Sequence, residues 1–293
     1  LDAVVARVDA CRDRLARVTA LLKRFRQSVL AAASSGQLTI DWRGSAVGHD
    51  GLPPEWTPAS FRDVTSEIRY GTSKKCSYQS NGIGVLRIPN ILSDGSISVA
   101  DLKRSDFTPD ELEALSLKAG DLLVIRSNGS VDLVGRSAVV SPHEAGLLFA
   151  GYLIRIRVEA HKVIPSFAYL CLSCPGQRAQ IEATAKSTSG VNNINSDELL
   201  SLRLQLPPLE EQAEIVRRVD TLFAFADRLE ARLAKAQAAA DRLTPALLAK
   251  AFRGELVPQD PADEPAAVLL QRLAASRPAS VAKARRPRAG QGD

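Results

Sequence analysis

The sequence pattern changes from strand-like to helix-like within one stretch, Gln205-Leu206-Pro207-Pro208-Leu209-Glu210-Glu211-Gln212-Ala213-Glu214-Ile215. Two consecutive prolines interrupt a strand-like segment, because proline lacks the N–H donor that the interior of a strand or helix requires. Acidic and amide residues follow the prolines, which is typical of the first turn of a helix. A long helix is therefore predicted to begin at this junction, at the end of a separate middle region.

Apolar residues beyond the junction recur at alternating intervals of four and three, which places them on one face of a helix as a coiled-coil seam. Pro245 lies inside this series, so it either kinks the helix or, with Thr244 as a cap, begins a new one. Gly254 is predicted to end the helix. The predicted seam consists of Ile215, Val219, Leu222, Ala226, Leu229, Leu233, Ala236, Ala240, Leu243 and Leu247.

The N-terminal region has the same spacing and predicts a first long helix that ends at Gly36. The two segments superpose without gaps, with Asp2 on Asp220 and Gly36 on Gly254. This internal repeat favours an antiparallel pair of helices, formed within the chain or with a second copy. The predicted seam of the first helix consists of Val4, Val8, Cys11, Leu15, Val18, Leu22, Phe25 and Val29.

The region between the helices predicts a mixed domain of strands, turns and short helices. The predicted strands are residues 85–88, 121–126, 137–140 and 153–158, followed by a helix over 166–172 that ends at Pro175-Gly176, and by a capped turn and strand over 197–206. The fold class is therefore α+β, with one mixed α/β domain flanked by two long helices that form an antiparallel coiled coil. The predicted boundaries are 1–40 for the first helix, 41–58 for a linker, 59–209 for the middle domain, 210–258 for the second helix, and 259–293 for a short helix and a basic tail.

Composition indicates a globular protein of the cytoplasm. The 293 residues include 45% hydrophobic and 24% charged residues, with a formal net charge of +5 that permits a polyanionic partner. No apolar run approaches the roughly 20 residues of a membrane span, and the N-terminus lacks a signal-peptide layout. Four cysteines give no disulfide framework. The chain has no Met and begins with Leu1, so we expect that sequence upstream is missing.

Motifs of the common enzyme chemistries are absent from the sequence. It has no Walker loop, no Gly-x-Ser-x-Gly and no His-Glu-x-x-His. Pro109-Asp110 resembles the start of a nuclease carboxylate motif, but no Glu-x-Lys follows it to complete a metal site. Cys171-Leu172-Ser173-Cys174 is a lone C-x-x-C, for which buried cysteines are a better interpretation than zinc. We therefore predict no catalytic residue and no metal site.

Three polar, basic loops of the middle domain, at residues 71–81, 126–136 and 186–193, are candidates for DNA contact. Lys, Arg and Ser bind phosphates, Arg pairs with guanine edges, and Asn or Gln pairs with adenine edges. Ordinary surface turns have the same composition, so composition alone does not decide between the two interpretations. The predicted DNA-binding residues are Ser73, Lys74, Lys75, Tyr78, Arg87, Asn90, Arg126, Ser127, Asn128, Arg136, Lys186, Ser187, Asn192 and Asn193.

Together, these features resemble the specificity subunit of Type I restriction–modification enzymes. The resemblance rests on the 205–215 junction, on the helix end at residues 248–256, and on segments 120–130 and 187–195 of the middle domain. Its most specific motif is Leu-Pro-Pro-Leu-Glu-Glu-Gln, and it covers nearly the whole chain up to Pro258.

The resemblance implies that the middle domain is a target-recognition domain for one half of a bipartite site in double-stranded DNA, with the helices as a spacer. It implies a non-catalytic subunit that docks methyltransferase subunits, which use S-adenosylmethionine, and a restriction subunit, which uses ATP and Mg. No cofactor is expected in this chain itself. The family's order is recognition domain, helix, recognition domain, helix, whereas this chain has helix, recognition domain, helix. We therefore expect the C-terminal half of a longer subunit, or a half-subunit that pairs with its own copy through the helices.

Two other interpretations remain open from the residues alone. In the first, the chain is a coiled-coil protein-interaction module without DNA specificity, and its middle domain holds a peptide or protein. In the second, it is an enzyme with unfamiliar chemistry. Steep loss of DNA affinity with salt would distinguish a phosphate-binding protein from the interaction module.

Overall fold

The computed structural model describes residues 2–44, 52–185, 190–256, 262 and 264–276, which form nine α-helices and eleven strands. The helices are α1 Asp2–Ser34, α2 Ile40–Arg43, α3 Phe61–Val64, α4 Pro109–Leu115, α5 Pro165–Ser173, α6 Pro175–Ala185, α7 Ser196–Leu200, α8 Leu209–Phe252 and α9 Ala266–Ser276. The strands are β1 Thr57–Ser60, β2 Thr65–Tyr70, β3 Ile83–Leu86, β4 Lys103–Ser105, β5 Leu122–Ile125, β6 Ser127–Asn128, β7 Ser137–Val139, β8 Leu148–Phe149, β9 Leu153–Val158, β10 Asn192–Asn193 and β11 Arg203–Leu206.

The chain divides into two compact units, one of Leu1–Asp13 with Gln237–Asp293 and the other of Arg14–Ala236. The division falls inside α1 and α8, so each long helix contributes residues to both units. The boundaries predicted from the sequence stay predictions, although α2 and β1 place regular structure inside the stretch expected to be a linker.

A four-stranded antiparallel sheet, in the order β2-β9-β5-β7, forms the centre of the Arg14–Ala236 unit. A three-stranded sheet, β4-β3-β8, lies beside it in the same unit, and the pairs β1-β11 and β6-β10 complete the pairing. All four residues of β5 are buried, because both faces of the strand are covered. Leu122 and Val124 join one hydrophobic core, while Leu123 and Ile125 join a second on the opposite face, as strand alternation requires.

Sequence patterns located the central strands correctly and missed several short elements. The predicted strand at 153–158 is confirmed as β9, and those at 121–126 and 137–140 are confirmed within a residue or two as β5 and β7. The predicted helix over 166–172, expected to end at Pro175-Gly176, is confirmed as α5, which ends at Ser173; a separate helix that the sequence did not predict, α6, begins at Pro175. Proline is well tolerated in a first helical turn, where its missing N–H has no partner to lose.

Within the Arg14–Ala236 unit, α1 and α8 pack side by side. Leu22, Ala226 and Leu233 are buried together, with Leu15, Val18, Phe25 and Leu229 packed around them. Arg26 of α1 pairs with Asp227 at 2.6 Å and with Glu230 at 3.1 Å. The contacts also give the direction of the two helices. Going forward from Arg26 to Leu38, the contact on the other side moves backward from Asp227 to Arg218, which donates to the Leu38 carbonyl, so the helices run antiparallel. The predicted antiparallel pairing is therefore confirmed in this unit.

Within the other unit, Arg12 of α1 donates hydrogen bonds to backbone carbonyls of α8 near Pro245. Pro245 lies inside the continuous helix α8, so the alternative of a new helix capped by Thr244 was wrong. A proline has no N–H to donate to the carbonyl four residues earlier, which here belongs to Asp241. Arg12 Nη2 donates to the Asp241 carbonyl at 3.4 Å and to the Ala240 carbonyl at 3.2 Å. The partner helix thus supplies a donor where the proline removed one.

The predicted seam is correct at most positions and displaced by one residue at four of them. Val8, Leu22, Leu233 and Ala240 are buried, whereas Leu243 is 49% and Val4 is 45% exposed. Cys11 and Ala236 are also exposed, and the half-buried residues there are instead Val5, Arg12, Gln237 and Thr244. A straight helix has 3.6 residues per turn, so it drifts by about 20° per heptad from a strict 3.5 repeat. At these four points the next position along the helix is therefore the more buried one.

The junction that opens α8 is buried and joins the helices to the middle domain. The Glu211 side chain is 1% exposed and accepts from Thr39 at 2.7 Å, from Trp56 Nε1 at 2.9 Å, and from Arg43. Gln212 accepts from the Ile164 N–H at 2.8 Å and donates to the carbonyls of Lys162 and Pro207. The Glu-Gln pair therefore holds the start of α8 against three other segments of the chain.

Both predicted glycine helix ends are confirmed. Gly36 follows α1 with φ of +76°, and Gly254 follows α8 with φ of +70°, a region that favours glycine. A Cβ on Gly36 would lie 2.4 Å from Pro53 Cγ, so this close approach also excludes a side chain.

Arg218 adds a further contact between the start of α8 and the segment after α1. It pairs with Asp41 at 2.6 Å and with Glu214 at 2.6 Å. Donation by Arg217 and Arg218 lowers the pKa of Glu214 to about 2.

A network of charges crosses the four-stranded sheet. Arg155, which is 1% exposed, donates to Glu67 at 2.5 Å and to the carbonyls of Ala114 and Ser116. Arg157 links Glu67 at 2.7 Å to Asp121 at 2.7 Å. Burial lowers the pKa of Arg155, which shows the cost of holding a guanidinium away from water. The sheet therefore depends on these carboxylates as well as on apolar packing.

Among the described residues, no helix combines the length and apolar character needed to cross a membrane.

Candidate nucleic-acid interface

Two of the three predicted loops come together through a short antiparallel pair of strands. Asn192 of β10 lies opposite Asn128 of β6, and Asn193 lies opposite Ser127. Asn192 Nδ2 also donates to the Gly129 carbonyl at 2.9 Å. Residues about 64 positions apart in the chain therefore form one polar strand pair.

Arg126 lies beside this strand pair, and its guanidinium contacts both Tyr70 and Asn193. The guanidinium carbon is 4.6 Å from the centroid of the Tyr70 ring, and Nε donates to Asn193 Oδ1 at 3.1 Å. Its backbone N–H donates to the Tyr152 carbonyl at 2.9 Å, and its own carbonyl accepts from the Ile194 N–H at 2.9 Å. Both the backbone and the side chain of Arg126 are thus fixed.

Tyr70, the last residue of β2, is fixed in turn by α7. Its hydroxyl accepts from the Ser196 N–H at 3.0 Å and donates to Ser196 Oγ at 3.1 Å. Tyr70 as a whole remains 38% exposed. We call the set Tyr70, Arg126, Asn128, Asn192 and Asn193 the asparagine surface. It offers aromatic, amide and guanidinium groups to solvent on one rigid base, which are the groups that contact nucleic-acid bases.

Two exposed residues extend the asparagine surface. Tyr152, between β8 and β9, is 64% exposed although its carbonyl anchors Arg126. Val191, directly before β10, is 53% exposed. Both are aligned with the surface through the chain, Tyr152 by its carbonyl and Val191 as the neighbour of Asn192.

The first predicted loop forms a second cluster around Tyr78, which is 58% exposed. Arg87 donates to the Tyr78 hydroxyl at 3.2 Å, and Lys103 Nζ lies 5.2 Å from the ring centroid. Asp101 pairs with Arg87 at 3.0 Å and so offsets part of this positive charge. The predicted residues Tyr78 and Arg87 are therefore brought together with a lysine that the prediction did not include.

The neighbouring lysines differ in how free their charges are. Lys74 Nζ pairs with Glu111 at 2.9 Å, donates to the Asp106 carbonyl at 2.7 Å, and lies 4.8 Å from the Phe107 ring centroid. Ser73 and Lys75 are exposed. Lys75 is therefore the better placed of the two lysines for contact with phosphate.

Asn90 contradicts its prediction as a base-contacting residue. It is 2% exposed, its Oδ1 accepts from the Arg87 N–H at 2.7 Å, and its Nδ2 donates to the carbonyls of Ser98 and Asp101. Each of these bonds holds the turn after β3, so no part of the amide faces solvent. Asn90 is a structural residue of that turn.

Arg136 belongs to a different feature from Arg126. It lines a cleft of the Arg14–Ala236 unit together with Lys23 and Arg26 of α1, Arg178 of α6 and Asp220 of α8. The structure therefore does not group Arg136 with the asparagine surface. The predicted residues Lys186 and Ser187 lie outside the described residues.

The C-x-x-C motif is buried in the α5–α6 region, as the sequence favoured. Cys171 and Cys174 are 6% and 8% exposed, and burial raises the pKa of the Cys171 thiol. A thiol with a raised pKa is a poor nucleophile and a poor metal ligand. Within the part of the chain that the structure describes, no cluster of His, Cys, Asp and Glu is suited to hold a metal ion.

Comparisons with known proteins give matches to one family. Residues 53–237 match the family model described as the Type I restriction modification DNA specificity domain. The chain is 36% identical over 292 residues to the Type I restriction enzyme EcoKI specificity subunit of Escherichia coli (strain K12), covering 97% of this chain and 62% of that protein. It is 35% identical over 291 residues to the StySPI specificity subunit of Salmonella potsdam, with the same coverage. The chain thus spans less than two thirds of the length of these relatives.

A solved structure shares the fold. It comes from work on complex assembly and conformational transition of the type I R-M system, and it superposes with a TM-score of 0.60 at 23% identity. The match covers 87% of this chain and 59% of that one.

Proposed function

Because the chain belongs to the family of Type I restriction modification DNA specificity domains, we propose that it provides sequence-specific DNA binding in a Type I restriction–modification enzyme. The observation that supports this most is the asparagine surface, in which Arg126 and Tyr70 are fixed by hydrogen bonds yet open to solvent. Rigid guanidinium, amide and aromatic groups that are at least partly exposed are suited to base contacts, because little side-chain freedom is lost on binding.

In this proposal the middle domain contacts one half of a bipartite site in double-stranded DNA. The candidate contacts are the asparagine surface, Ser127, and the exposed residues of the first loop with Tyr78 and Arg87. Lys186 and Ser187 stay in the proposal on sequence grounds alone. The paired helices act as a spacer, because α1 and α8 are joined to the domain through the buried Glu211 and Gln212 contacts.

The chemistry of methylation and cleavage belongs to other subunits in this proposal. The relatives are named as specificity subunits of restriction enzymes, which fits a non-catalytic role. We expect methyltransferase subunits that use S-adenosylmethionine, and a restriction subunit that uses ATP and Mg. A second copy of the chain, or a further recognition domain, would supply the other half-site.

DNA affinity is expected to fall steeply with salt. Each phosphate neutralised by Lys or Arg contributes a slope of about −0.9 to the dependence of log affinity on log salt. Fluorescence anisotropy with a mixed-sequence duplex, at 50 and 200 mM salt and with methyltransferase subunits present, measures this slope. We expect at least about a tenfold loss of affinity between the two salt concentrations.

The same measurement separates the rival function. A coiled-coil module that binds only proteins would bind the methyltransferase subunits without adding any DNA affinity to theirs. Methyltransferase subunits alone, at the same two salt concentrations, are therefore the control. Identical DNA binding with and without the chain would contradict the proposed function.

A further inference from the structure

We propose that Arg126 contacts a guanine of the recognised half-site, with its guanidinium held in position by Tyr70 and Asn193. The inference rests on the proposed DNA-binding function and adds the residue, the base and the mode of contact. It follows from how the five N–H groups of the guanidinium are distributed.

One of the N–H groups of Arg126 is already used. Nε donates to Asn193 Oδ1 at 3.1 Å, which fixes the rotation of the guanidinium about its own long axis. The guanidinium carbon lies 4.6 Å from the centroid of the Tyr70 ring, so the ring supports the group from one side. The hydrogen bond and the ring together restrict the orientations open to the guanidinium.

The outer edge of the guanidinium remains available. No described residue accepts a hydrogen bond from Nη1 or Nη2 of Arg126, in contrast to Arg157 and Arg218, whose outer nitrogens are paired with carboxylates. Two parallel donors at this edge match the O6 and N7 acceptors that guanine presents in the major groove. Adenine offers a donor in place of O6, so the same edge distinguishes the two purines.

The supports of Arg126 are themselves fixed. The Tyr70 hydroxyl is bonded twice to Ser196 at the start of α7, and Asn193 is held by the β6–β10 pairing. Tyr70, Asn193 and Ser196 are therefore positioning residues that act through Arg126. Such support favours contact with a base over contact with a phosphate, because a phosphate accepts from many directions and requires less precise placement.

The test uses the chain with its methyltransferase subunits and a duplex that the parent complex selects from a random-sequence pool. Each guanine of the selected half-site is replaced in turn by 7-deazaguanine, which lacks the N7 acceptor. We expect one position at which the parent loses about five- to tenfold in affinity. Arg126→Gln should bind the two versions of that duplex equally, because it no longer has the bidentate edge.

Arg126→Lys is the matched variant that retains the charge. It should keep the affinity of the parent for random duplex and show a weaker preference for guanine at that position, because lysine can still donate to O6 or N7 but lacks the planar fork. Tyr70→Ala should also weaken the preference partially. Arg69→Gln is the control, because Arg69 neighbours Tyr70 on β2 but is directed at Glu67, with Nε 3.1 Å from its carboxylate. The control should select the same half-site as the parent.

Three results would overturn the inference. The first is a selected half-site without guanine, and the second is a loss on 7-deazaguanine substitution that is as large in Arg126→Gln as in the parent. The third is equal weakening of selected and random duplexes by Arg126→Gln that Arg126→Lys does not show, which would indicate a phosphate contact. If the parent selects no sequence at all, the proposed function itself fails, so the two failures are distinguishable.

Discussion

Replacement of Glu211 by alanine is expected to lower the free energy of unfolding by about 3–5 kcal/mol. The carboxylate is 1% exposed and accepts from Thr39, Trp56 and the Arg43 guanidinium, which is itself 5% exposed. Without it, Arg43 keeps a buried charge that lacks a counterion, and two further donors lose their acceptor. Urea unfolding followed by tryptophan fluorescence measures the change, because Trp56 lies in the site.

Glu210 provides the matched control for this substitution. It is the preceding residue in the same first turn of α8, and it is exposed. Glu210→Ala removes the same charge near the helix N-terminus, so its cost should be at most about 1 kcal/mol. Equal unfolding midpoints for the two variants would show that the junction does not depend on Glu211.

Replacement of Glu67 by alanine is expected to cost about 2–3 kcal/mol of stability, after allowance for the 31% exposure of its side chain. Glu67 is the carboxylate bonded to Arg155, which is 1% exposed, and it also pairs with Arg157. Its loss leaves the Arg155 guanidinium with carbonyl acceptors only and close to the positive charge of Arg157. The four-stranded sheet should therefore unfold at lower urea concentration.

Asp197→Ala is the comparison for this substitution. Asp197 pairs with Arg62 at 3.2 Å, but the two side chains are 84% and 58% exposed. Exposed pairs contribute little, so we expect a cost below about 1 kcal/mol. A Glu67→Ala midpoint no lower than that of Asp197→Ala would contradict the account of the network.

The sequence was sufficient to predict both long helices and their pairing, but not the exact face that each one buries. Leu243 was placed in the seam by its spacing, yet it is 49% exposed, and Thr244 is more buried. Heptad counting assumes supercoiled helices, and a straighter helix shifts its contact face over several turns. Arg12, a charged residue at a half-buried position, donates to the carbonyl that Pro245 leaves without its helical donor, a contact that spacing does not predict.

For the junction motif, the sequence predicted the family but not the structural role of its residues. Leu-Pro-Pro-Leu-Glu-Glu-Gln identified the family, but its Glu and Gln were expected only to open a helix. Glu211 and Gln212 are in fact buried, because Trp56, Thr39 and the Ile164 N–H each need an acceptor inside the core. Acidic and amide residues at a helix start are normally solvated, so no local pattern distinguishes these two from Glu210.

The sequence predicted Arg126, Asn128, Asn192 and Asn193 of the asparagine surface, but neither Tyr70 nor the way the surface is organised. Arg126, Asn192 and Asn193 were expected in separate loops, and the short β6–β10 pair joins them. Tyr70 and Ser196 are 126 positions apart, and tertiary contact alone brings them together. Asn90, which was predicted as a DNA contact, is buried in a turn, which composition does not distinguish from exposure.

The central claim is that the middle domain, and not the helix pair, contacts DNA. Hydroxyl-radical footprinting of the protein, with and without the selected duplex, tests it directly, because the reactive aromatic residues lie in both regions. Tyr78 and Tyr152 are 58% and 64% exposed in the middle domain, whereas Phe225 of α8 is 48% exposed. With a shuffled duplex as the control for radical scavenging, the account predicts that the selected duplex slows oxidation of Tyr78 and Tyr152 and leaves Phe225 unchanged. Protection of Phe225, with both tyrosines unchanged, would contradict it.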